Sequence, residues 1–112
     1  MLTKKQISSF YKDGIVKLPA FIEPTMLGKL NAAFDWSIAN PGPFVTGTAT
    51  GENVHLVDNA NPEAYQMYSE LVIENGFGHV AAQLWSSDYV GFFAEEIYLK
   101  KGKSMPSFWH QD

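Results

Sequence analysis

The chain has 112 residues, enough for one domain or part of one, and its 46% hydrophobic content favours a packed core over disorder. A formal charge of -4 with scattered lysines argues against a nucleic-acid footprint, and the short group Lys100, Lys101 and Lys103 reads as a solvated turn. The lack of cysteine excludes a disulfide framework and thiolate metal sites, and no apolar run is long enough to span a bilayer or to form a signal-peptide core, so a soluble cytoplasmic protein with no membrane partner is expected.

The opening Leu2-Thr3-Lys4-Lys5-Gln6-Ile7 predicts a helix start. Thr3 can cap, Gln6 stands at the reciprocal capping-box position, and Leu2 can staple onto Ile7. Ile7, Phe10 and Tyr11 make its apolar stripe, and Asp13-Gly14 ends it. A short strand with one wet face is expected at Ile15-Val16-Lys17-Leu18-Pro19. Pro24 suits a first helical position, and Met26, Leu30, Phe34 and Ile38 recur at four-residue spacing, so a helix buries that face until Asn40-Pro41-Gly42-Pro43 stops it. Residues 44–61 read mainly as loop, apart from one β-like patch at Asn53-Val54-His55-Leu56-Val57.

Asn61-Pro62 is a cap followed by a first-turn proline, opening a helix with Ala64, Met67, Tyr68, Leu71 and Val72 inward. Asn75-Gly76 closes it, and Phe77 to Trp85 predicts another helix with Phe77, Val80, Ala81, Leu84 and Trp85 on its apolar side. Ser86-Ser87-Asp88 breaks that helix. Tyr89 to Lys100 is aromatic, β-branched and acidic, which predicts a long strand with Phe93, Glu95, Ile97 and Leu99 on one face. The expected class is α+β: one partial domain over 1–112, mainly helical with short strands over 1–87, then strands over 88–112.

The last five residues, Phe108-Trp109-His110-Gln111-Asp112, hold the only His-x-Asp pair. In an extended strand, residues i and i+2 point to one face, so the imidazole of His110 and the carboxylate of Asp112 would converge. An imidazole and a carboxylate, joined by a second histidine, make the facial triad that holds non-haem Fe(II) and leaves positions open. Two of those three ligands are visible here, and a His-x-Asp also arises by chance.

Taken together, the opening LTKKQISSFYKDGIVKLPAFIEPTMLGKL, the later WSSDYVGFFAEEIYLKKG and the closing WHQD resemble the N-terminal portion of the phytanoyl-CoA dioxygenase family of Fe(II)/2-oxoglutarate oxygenases. The resemblance implies the first strands of a double-stranded β-helix (jelly roll), incomplete in this chain. It implies Fe(II) as metal, 2-oxoglutarate and O2 as co-substrates, and a small-molecule substrate. Carried over by position, His110 and Asp112 are the first histidine and the carboxylate of the iron triad. Ile97 and Trp109 become 2-oxoglutarate contacts, with core packing as the alternative role for both. A carboxylate at Asp112, where related halogenases have a small residue, favours hydroxylation.

The chain departs from the family pattern in having no arginine to pair with the far carboxylate of 2-oxoglutarate, and its other histidines, His55 and His79, both precede the motif. The segment alone is therefore expected to be inactive. The competing expectation is a truncated, non-catalytic binding or structural module that self-associates as a homo-oligomer through open strand edges. Other constellations are weak. Glu95 and Glu96 are adjacent, so a strand sends them to opposite faces, one solvated and one lining a pocket or paired with a lysine. Gly76-Phe77-Gly78 lacks the rest of a dinucleotide loop and reads as a joint between helices.

Overall fold

The computed structural model describes residues 1–104 and 106–109. Among them are four α-helices and one antiparallel three-stranded sheet, so the chain is α+β. The elements run α1 (Lys4–Asp13), α2 (Pro24–Ala39), β1 (Thr46–Thr48), β2 (Val54–Asn59), α3 (Tyr65–Glu74), α4 (Phe77–Trp85) and β3 (Glu96–Lys101), with sheet order β1-β2-β3. The chain divides into two compact units, each considered separately below.

The first unit comprises Met1–Ala33 and Gln66–Phe93. Its α1 forms as its end signals require. The Thr3 hydroxyl accepts from Gln6 N–H at 3.2 Å, and the Gln6 side chain accepts from Thr3 N–H at 2.8 Å. Gly14 takes φ 71 and returns its N–H to Phe10 at 2.8 Å. α1 packs on α4, where Leu2 N–H donates to the Gln83 side chain at 2.8 Å. Tyr11 leaves the expected stripe, 62% exposed, with its hydroxyl 3.4 Å from Ser86. No strand forms at residues 15–19, because that segment enters no ladder, and Ile15 is 73% exposed.

The joint at Gly76 has φ 67 and separates α3 from α4, as expected. α4 keeps its expected limits, although Trp85 in its last turn is exposed rather than inward. Ser87 then turns the chain, its hydroxyl accepting from Tyr89 N–H at 3.2 Å and donating to Tyr89 C=O at 2.7 Å.

The second unit comprises Phe34–Tyr65 and the described residues from Ala94 onward. β2 is its central strand, alternating buried and half-buried positions from Val54 to Asn59. β1 was not legible as a strand. It pairs through Thr46 with Val57, Gly47 with Leu56 and Thr48 with His55, and all three of its residues are exposed. Gly47 fits there because its φ is 82 and a Cβ would sit 1.8 Å from His55 C=O.

β3 occupies only the second half of the predicted long strand. A strand exists where a partner pairs it, and β2 offers six residues to Glu96–Lys101. Upstream, Tyr89 and Phe93 are exposed and outside any strand. α3 also starts later than its proline signal. Asn61 N–H donates to Glu95 at 2.7 Å and the Asn61 amide to Asn40 C=O at 2.9 Å, while its Oδ1 accepts from Glu63 N–H at 3.1 Å. These bonds hold Asn61 in a turn, and the helix begins at Tyr65.

Candidate functional site

The approach to the terminal motif is built by β3 and the turn after it. Antiparallel register sets Ile97 opposite Asp58 and Leu99 opposite Leu56. Cross-strand partners share a face, so Ile97 joins Val54, Leu56 and Asp58 on the buried side, and Ile97 is 6% exposed. Gly102, at φ 69, turns the chain where a Cβ would lie 2.2 Å from Glu52 C=O, and Lys103 N–H donates to the Asn53 side chain at 2.8 Å. Lys100 Nζ reaches the Ser107 hydroxyl at 2.7 Å, spanning that turn.

Of the sequence-derived site residues, Ile97 is thus a core position and Trp109 is fully exposed. His110 and Asp112 lie outside the described residues. His55 lies half-buried on β2, opposite Lys100, and His79 is exposed on α4. Among the described residues, no three His, Asp or Glu side chains are grouped as metal ligands.

The second unit also buries a polar cluster that motif reading passed over. Asp58 is 1%, Asn61 3% and Glu95 7% exposed. Asp58 accepts from Gly42 N–H at 2.8 Å through Oδ2, and Glu95 accepts from Asn61 N–H through Oε1. Their second oxygens, Asp58 Oδ1 and Glu95 Oε2, are buried with no hydrogen-bond partner among the described residues. Glu96 takes the opposite, exposed side and accepts from the Tyr98 hydroxyl at 3.2 Å. The two glutamates therefore part as strand alternation requires, although Glu95 pairs with a backbone N–H and not with a lysine. A signal for Asp58 was present: in Val54-x-Leu56-x-Asp58 it holds the phase of the apolar residues.

Within the first unit, an open cleft of about 540 Å³ is lined largely by apolar residues, among them Val72, Phe77, Ala81, Trp85 and Val90. His79, Asp88 and Tyr89 are the ionisable groups in its lining. Tyr89 and Phe93, at 89% and 91% exposure, continue this apolar surface. No family model, curated protein or solved structure matches the chain.

Proposed function

We propose that this chain is the N-terminal segment of an Fe(II)/2-oxoglutarate-dependent dioxygenase of phytanoyl-CoA dioxygenase type, a hydroxylase, with its sheet contributing first strands of a jelly roll. The observation carrying this reading is the sequence motif Trp109-His110-Gln111-Asp112, which follows β3 in chain order. The donor set suits the metal: one imidazole and one carboxylate, with no thiolate in the chain, fit two positions of an Fe(II) facial triad. Bound iron with 2-oxoglutarate and O2 would supply the oxidising chemistry. The chain's own part is to present His110 and Asp112 as ligands, with Ile97 and Trp109 as the proposed contacts to the co-substrate.

Two protein ligands hold Fe(II) weakly, and no arginine is present to fix the co-substrate, so the chain by itself gives no succinate. Anaerobic titration with Fe(II) and 2-oxoglutarate tests the ligand assignment. A visible charge-transfer band lost in both His110→Ala and Asp112→Ala supports it, and a band that survives both substitutions refutes it. A second reading, a self-associating non-catalytic module, is favoured by β3, which has a strand neighbour on one side only among the described residues. The absence of any band, together with a sedimentation coefficient that rises with concentration, selects that reading.

A further inference from the structure

We infer that Asp58 and Glu95 form a subsite for one hard divalent cation, of the Ca2+ or Mn2+ kind, on the buried face of the sheet. Register supplies the first argument. Asp58 stands opposite Ile97, and Ala60 N–H donates to Glu95 C=O at 3.1 Å, extending the pairing beyond the ends of β2 and β3. Glu95, two residues before Ile97, therefore shares the face of Asp58 as its diagonal neighbour. Such positions lie about 7–8 Å apart diagonally across the two strands, close enough for two carboxylates to reach one ion at oxygen distances of about 2.3–2.6 Å.

Burial and hydrogen bonding supply the second, independent argument. Each carboxylate is more than nine-tenths buried and commits one oxygen to a backbone N–H, Gly42 at 2.8 Å and Asn61 at 2.7 Å. Those bonds orient both groups, and each leaves its other oxygen buried without a partner among the described residues. Buried anionic oxygens call for a positive partner. Among the described residues no side chain supplies one: every lysine is exposed, the chain has no arginine, and the ion pair of Lys29 with Glu74 is on the surface of the other unit. His55 projects to the opposite face by strand alternation.

The donors identify the class of ion. Two carboxylate oxygens with no thiolate in the chain, and no imidazole beside them among the described residues, suit a hard cation better than zinc or copper. No third acidic or histidine side chain joins them among the described residues, so carbonyl oxygens and water complete the shell. A site with so few charged ligands binds at about 10⁻⁴–10⁻³ M, like weak extracellular calcium modules. Its effect is structural, joining the exit of α2 at Gly42 to the turn at Asn61.

The test uses the full chain, freed of metal, with Ca2+ or Mn2+ added while Tm is followed, and bound Mn2+ counted by electron paramagnetic resonance. At a hundredfold excess over Kd, Tm rises by roughly 10 °C. Asp58→Asn and Glu95→Gln each abolish the rise and remove one bound Mn2+, whereas Glu96→Gln, on the exposed side of β3, keeps both. Should Asp58→Asn fail to fold, Glu95→Gln decides, since its amide oxygen can still accept from Asn61 N–H. A wild-type Tm indifferent to cations overturns the proposal. A rise that survives Glu95→Gln, or one lost in His110→Ala instead, overturns it as well and leaves the iron assignment to its own titration.

Discussion

The two compact units are stabilised in different ways. In the helical unit the buried apolar residues are Ala33 and Leu71, and most of α1 and α4 is half-buried, so order there rests heavily on caps and backbone bonds within each helix. In the sheet unit Val54, Leu56, Ala64 and Ile97 are buried together with Ser37, Asp58, Asn61 and Glu95. Four of these are polar, so that core is specified by hydrogen bonds as much as by apolar area. The helical unit meanwhile exposes Ile73, Trp85, Tyr89 and Phe93. Local signals are sufficient to make helices, but a sheet requires partners distant in sequence.

Truncating one buried leucine in each unit tests that contrast most severely. Leu56→Ala on the central strand should cost about 4 kcal/mol, and Leu71→Ala on α3 about 2.5 kcal/mol, because a loosely covered site can collapse around the smaller side chain. Urea unfolding of both variants measures the gap, and equal losses would erase the distinction. Gly47→Ala comes next, at about 2 kcal/mol. The strain of a Cβ against His55 C=O is limited by the ease with which exposed β1 detaches. Amide exchange should then quicken at residues 46–48 and leave the β2–β3 ladder protected. Thr3→Ala is the smallest, about 1 kcal/mol, because it removes one capping bond at an exposed helix end. Circular dichroism melting detects it, and a loss above that of Leu71→Ala would show α1 to be anchored by more than its cap and its packing on α4.

What could be read from the sequence follows the same division. Thr3, Gln6 and Gly14 delimit α1, Pro24 opens α2, and Gly76 and Ser86 bracket α4, because each acts within one turn of its own position. β1 was invisible for the opposite reason. Thr46-Gly47-Thr48 has no apolar alternation, and its pairing depends on backbone groups of Val57, Leu56 and His55. The strand expected at residues 15–19, and residues 89–95 of the strand expected over 89–100, had suitable side chains but no ladder. Asp58 carried a legible phase, whereas the bond from Asn61 to Glu95 spans 34 positions and no local pattern announces it. For the proposed iron ligands, His110 and Asp112, the sequence motif stands alone, since both lie outside the described residues.

The placement of α3 and α4 between β2 and β3 has a consequence in time. β2 cannot acquire its longer partner until residues 60–95 have been made, which takes roughly two to seven seconds at about 5–20 residues per second of synthesis. Helices form within about a microsecond of emerging, so α3 and α4 can be complete while β2 still waits. During that interval Val54 and Leu56 lack the strand that later pairs beside them. The nascent sheet therefore depends on the pace of the ribosome and on any chaperone that shields β2, a dependence the capped helices do not share.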